Sequence, residues 1–128
     1  NNITTICSSV FDGLYNLIEL RLMHNSIHLI DNNFLRSFLQ IKTINFAHNS
    51  IEHVPKLSSG SLEILNFSSN HIHYLSDYFA SHLSSIRLID FDSNPDLNHT
   101  TARAFCFLNI LSLERMTFRF DNLLSLNS

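Results

Sequence analysis

Apolar residues return along this chain in a fixed frame. Leu17, Leu20 and Leu22 are followed by Asn25 and Ile27, a pattern written L-x-x-L-x-L-x-x-N-x-L. It returns as Ile41, Ile44, Phe46, Asn49, Ile51, then as Leu62, Leu65, Phe67, Asn70, Ile72, and again as Ile86, Ile89, Phe91, Asn94. A weaker fifth copy runs Leu113, Met116, Phe118, Asp121, Leu123, with Asp in place of Asn. First positions are spaced by 24, 21, 24 and 27 residues, within the roughly 20 to 29 residues of one coil in a stacked repeat. Alternation in the centre of each copy predicts a short strand whose alternate side chains point inward, and stacked strands then build a parallel sheet.

The conserved spacing gives each position a task. An Asn amide is both donor and acceptor, so Asn25, Asn49, Asn70 and Asn94 are expected to turn inward as a structural ladder, satisfying backbone groups where the chain leaves the strand. The third apolar site reads Leu22, Phe46, Phe67, Phe91, Phe118, which predicts rings stacked from coil to coil inside the sheet. Phe11, Phe34, Phe38, Phe79 and Leu83 are expected to close the coils on the outer side. Val54-Pro55 ends the first half of the short second coil, and residues 56–60 form a tight connection. After Asn94, residues 96–104 are expected to bulge from the stack.

Residues 1–16 read as the tail of an earlier coil, and residues 10–22 give the run V-F-D-G-L-x-N-L-x-x-L-x-L. With the coils that follow, it resembles the "typical" class of leucine-rich repeat in the ectodomains of Toll-like receptors and related guidance and adhesion proteins. The resemblance covers nearly the whole chain. It implies an α/β-type repeat solenoid with a short-stranded parallel sheet on a concave face and a mostly irregular or short-helical convex side. Residues 1–128 then form a single solenoid segment of about five repeats that starts and ends within a repeat and lacks cysteine-rich caps. Such a segment implies a non-enzymatic recognition module in an extracellular or cell-surface receptor of innate immunity or adhesion. A cytosolic scaffold built on the same fold is the alternative.

Composition narrows the chemistry. The chain has 128 residues and a net charge of −3 with scattered Lys and Arg, which gives no basic stripe for nucleic acid. No apolar run has the roughly eighteen residues of a membrane helix, so a membrane would be reached only through segments outside this sequence. Cys7 and Cys106 fall about four coils apart, roughly 20 Å at the strand spacing, too far to bridge. They are expected as buried or half-buried thiols, with pairing to a cysteine outside this sequence as the alternative.

Candidate contacts lie at the positions flanking the strand leucines: Arg21, His24, Asn45, His48, Asp90, Asp92, Arg115 and Arg119. Asp90 and Asp92 are expected beside Arg115 and Arg119. The face suits a protein or glycan ligand, held there or on a lateral face, and no cofactor is called for. Eight histidines include His24 and His48 in one column and His28 and His73, with Glu52, in another. The first pair would alter a partner's affinity when both become charged, and no tight metal-ligand spacing is present. Sequons stand at Asn2, Asn66 and Asn98, about as many as chance gives at this Asn and Ser/Thr content. Asn98 is the preferred acceptor because Asn66 falls on the strand face. No nucleophile and base arrangement or phosphate loop is present, and the oligomeric state is open.

Overall fold

The computed structural model describes residues 2–77, 79–97, 99–100 and 114–117, with residues 99–100 and 115–117 described by their backbone. Within these residues the strands are β1 (Thr5–Ile6), β2 (Glu19–Arg21), β3 (Leu29–Ile30), β4 (Thr43–Asn45), β5 (Ser58–Ser59) and β6 (Ile64–Asn66). They continue as β7 (Tyr74–Leu75), β8 (His82–Leu83), β9 (Leu88–Asp90), β10 (His99–Thr100) and β11 (Arg115–Thr117).

One parallel sheet runs β11-β9-β6-β4-β2. Each strand is separated from its neighbour by a full turn of chain, which is the long crossover a parallel pair requires. The register stacks Leu20, Ile44, Leu65, Ile89 and Met116 opposite one another. The second apolar position of every coil therefore occupies one column. The first four of these side chains are buried, while Glu19 and Arg21 on either side of Leu20 are exposed.

The interior is filled column by column. Ile41, Leu62 and Ile86 are fully buried, as are Ile27, Ile51 and Ile72 just after the Asn positions. Phe46, Phe67 and Phe91 form the ring column: Phe46 and Phe67 have centroids 5.5 Å apart and Phe67 and Phe91 5.9 Å apart, both stacked. From the outer side Phe34 meets Phe46 edge-on at 5.7 Å, and Phe79 meets Phe91 at the same distance. In the short second coil the outer core residue is the smaller, buried Leu57. Phe118 lies outside the described residues.

The far side of the coils departs from expectation in one respect. Among the described residues it holds no helix. Between one flank strand and the next coil there are ten residues (31–40 and 76–85), and fewer in the short second coil, too few for the several turns that make a helix self-supporting. The chain spends them on successive tight turns, in which Phe34 N donates to Asp31 O, Arg36 N to Asn33 O and Phe38 N to Leu35 O. Two-residue pairings complete the coils: β1 with β3, β7 with β10 and β5 with β8.

Cys7 also differs from expectation, being exposed with a free thiol. It follows inward-facing Ile6, so alternation turns it outward, and its carbonyl accepts Val10 N to start a turn. Cys106 lies outside the described residues, as does Asn1.

Candidate functional site

Each coil leaves the sheet through the same backbone device. His24, His48, Ser69 and Ser93, the residues just before the four Asn positions, have φ between 55° and 58°. This left-handed conformation is unfavourable for residues with a Cβ and is held by the bonds of the next residue. Asn49 Nδ2 donates to the carbonyls of Leu22, Phe46 and Ala47 at 2.9, 3.0 and 3.3 Å, and its Oδ1 accepts Ile27 N at 3.0 Å. Asn70 repeats this set with Phe46, Phe67, Ser68 and Ile51, and Asn94 with Phe67, Phe91, Asp92 and Ile72. Asn25 is half-buried and bonds Leu22 O, Met23 O and, at 3.4 Å, Ile3 N.

A second row organises the strand ends. Asn45, Asn66 and Asp90 are directly opposite one another across β4, β6 and β9. Each turns its Oδ1 onto the backbone N two residues on: Ala47, Ser68 and Asp92. The sequon residue Asn66 is thus half-buried in the central strand with its carbonyl oxygen engaged. Asn2 is exposed. Asn98 lies outside the described residues.

A line of alternating charge runs along the entry to the sheet. Lys42 Nζ is 3.1 Å from Glu63 Oε2, Arg87 Nη1 is 3.2 Å from Glu63 Oε1, and Arg87 then grips Glu114 with Nε at 2.9 Å and Nη2 at 3.1 Å. The hydrogen bonds from Lys42 and then Arg87 hold the Glu63 carboxyl below its ordinary range, and Arg87 does the same to Glu114. In return the Arg87 guanidinium is pushed up by Glu114 and Glu63. These four residues share one offset in the repeat frame, although their pairing was not drawn from the sequence. Opposite signs at equal offsets in successive coils were the available signal.

Of the expected acid and base cluster, the described part is the backbone register of β11 on β9. Arg115 is opposite Leu88, and Thr117 is opposite Asp90. The parallel register fixes this, because equal offsets face one another. Arg119 lies outside the described residues. Arg21 is exposed and bonds Glu19 on its own strand at 2.6 Å. His24 and His48 do come together, with rings 4.5 Å apart and 10° from parallel, both exposed. In the other column His73 Nε2 lies 3.3 Å from Glu52. Among the described residues no group of three or more His, Cys, Asp or Glu is placed to hold a metal ion, and no helix is long and apolar enough to cross a membrane.

A concavity lies away from the five-stranded sheet. It encloses about 1060 Å³ over the second coil, between residues 28–32 of the first coil and Tyr74 to His82 of the third. Sequence reasoning missed it, although the 21-residue spacing between coils of 24 marks its place. No protein-family model matches the chain, and no curated protein matches it at a significant level.

Proposed function

We propose that the chain is a segment of a leucine-rich-repeat recognition module, non-enzymatic and extracellular, of the kind that Toll-like receptors and adhesion proteins carry. It binds a protein partner across the broad face of the five-stranded sheet. The observation that carries this reading is the coincidence of the L-x-x-L-x-L-x-x-N frame with a buried Asn bonded across each coil boundary. That frame presents Arg21, Asn45, Asn66 and Asp90 in one outward row. A rigid parallel stack offers an extended, shallow surface, which suits macromolecular contact better than the enclosed pocket of small-molecule chemistry.

Secretion of the chain from eukaryotic cells tests the compartment. The expected product is folded and carries a glycan at Asn98; an unglycosylated, misfolded product overturns the extracellular reading. Screening it against a panel of purified ectodomains tests the role. A partner whose binding falls at least tenfold on Arg21→Glu supports it, and retention of binding removes the sheet face from consideration. The exposed thiol of Cys7 favours a second reading, a cytosolic scaffold, since free surface thiols persist where the compartment is reducing.

A further inference from the structure

Six of the eight histidines fall on one flank of the solenoid, where each coil turns out of the sheet around its Asn position. His24 and His28 stand in the first coil, His48 and His53 in the second, His71 and His73 in the third. All are exposed except the half-buried His73. Residues 23–29, 47–53 and 70–74 contain neither Lys nor Arg, so positive charge on this flank comes from imidazole alone and follows pH. The stacking of the coils brings these side chains together. The rings of His24 and His48 lie face to face with centroids 4.5 Å apart, and those of His53 and His73 are 5.9 Å apart.

The acids that face these rings are unevenly placed. Glu52 Oε1 is 3.3 Å from His73 Nε2, and Asp96 Oδ2 is 3.7 Å from His71 Nδ1. Both acids therefore serve the third coil, and Asp92 adds a further negative charge to the fourth. On the adjoining strand Arg21 and Glu19 neutralise one another at 2.6 Å. At the outer edge Asp31, Lys56 and Asp77 line one concavity with His28 and His53, and Asp31 Oδ2 is held by Ser8 N at 2.9 Å. Among the described residues His24 and His48 have no paired acid. When the flank is protonated, its positive charge is concentrated on this stacked pair.

We propose that this flank binds a linear sulfated polysaccharide in acid, with His24 and His48 at the centre of the site and His28 and His53 beside them. Two imidazolium rings 4.5 Å apart repel one another unless an anion lies across both, so a bound sulfate favours the doubly protonated pair. Ser26 and Ser50 follow the two histidines at equal offsets, and their hydroxyls suit a polymer in which sulfates alternate with hydroxyl groups. A single-stranded nucleic acid needs flat rings for its bases. Beyond imidazole, the aromatic ring exposed on this flank is Tyr74, at its outer edge. A membrane is held through lasting Lys and Arg charge or an inserted apolar face, and the large apolar side chains exposed on these three coils of the flank are Leu29 and Tyr74. The extracellular reading supplies the source of such a polymer, while the partner of the sheet face is a separate matter.

Heparin titrated with the whole chain at about pH 5.5 and about pH 7.5, on either side of the range in which imidazole changes charge, tests it. The expected result is saturable binding at the lower pH that weakens about tenfold or more at the higher. Combining His24→Asn with His48→Asn should weaken the acid binding about tenfold, the scale of two lost charge contacts in water. Asn accepts the left-handed backbone of both positions, and an unchanged urea midpoint confirms the fold. His28→Gln, outside those turns, should weaken binding about threefold, one contact on the same scale, and Lys42→Ala at the entry to the sheet should leave it unchanged. Desulfated heparin, a single-stranded oligonucleotide and phosphatidylserine vesicles are the comparison arms. Equal binding at both pH values, binding of the desulfated polymer, tighter binding of the oligonucleotide or the vesicles, or indifference to the histidine substitutions overturns the proposal. No protein partner enters the measurement, so failure of the sheet-face reading leaves these outcomes as they are.

Discussion

Asn70 donates through Nδ2 to the carbonyl of Phe46, one coil back, at 3.0 Å. The same amide bonds Phe67 and Ser68 in its own coil and accepts Ile51 N. One buried side chain therefore satisfies backbone groups of two coils. Each buried group left unpaired costs about 1 to 3 kcal/mol, so Asn70→Ala is expected to lose several kcal/mol in urea unfolding. Asn25→Ala should lose clearly less, because Asn25 is half-buried and its bond to Ile3 is long. Equal losses at the two sites would show that burial does not set the penalty.

The residue before each Asn supplies a separate test. Ser69 has φ 55°, a conformation that β-branched side chains tolerate poorly. Ser69→Val is expected to destabilise by about 1 to 2 kcal/mol. Ser69→Gly should change stability by less than about 1 kcal/mol, since relief of strain is offset by greater freedom of the unfolded chain. The difference between the two urea midpoints is the measurement.

Phe67 lies between Phe46 and Phe91 in the ring column. Phe67→Ala is expected to cost about 3 to 5 kcal/mol through lost burial and the void left behind. Phe67→Leu should retain most of the stability, because Leu22 already fills the corresponding place in the first coil. A thermal melt of the two variants reads the difference.

The charge row gives a pH dependence with a definite sign. Bonds from Lys42 and Arg87 lower Glu63 below its ordinary value near 4.5. Its contribution to stability is complete above that value and is lost as pH falls through the lowered one. Unfolding midpoints should therefore drop more steeply below pH 4.5 in the native chain than in Glu63→Gln. Added salt should narrow the gap, since Lys42 and Arg87 are exposed and the half-buried Glu63 carboxyl still reaches solvent. A parallel fall of both proteins would remove Glu63 from the account.

Much of the architecture follows from position along the chain. The step from Leu20 to Ile44, Leu65, Ile89 and Met116 predicts the register because any repeat that buries one side chain per coil must bring equal offsets opposite one another. The same rule pairs Lys42, Glu63, Arg87 and Glu114, and it places Arg115 opposite Leu88 instead of Asp90. Asn49 and Asn70 were legible too, since a polar residue at a fixed place in an apolar frame has to find backbone partners. The outer side was less legible. Phe34 and Phe38 return as Phe79 and Leu83 and are buried as expected, whereas Cys7 has no such counterpart and turn geometry leaves it exposed.

The sequence by itself determined the coil period, the inward columns of Leu, Ile and Phe, and the Asn spacing, because these depend only on repetition along one dimension. Only the tertiary structure decided that the outer segments close by turns without a helix, that His24 and His48 stack, and that the short second coil opens a cleft. Those outcomes depend on how three missing residues are accommodated between two longer coils. A spacing of 21 records that they are missing, whereas the pairing of Ser58–Ser59 with His82–Leu83 shows which neighbour the short coil is tied to.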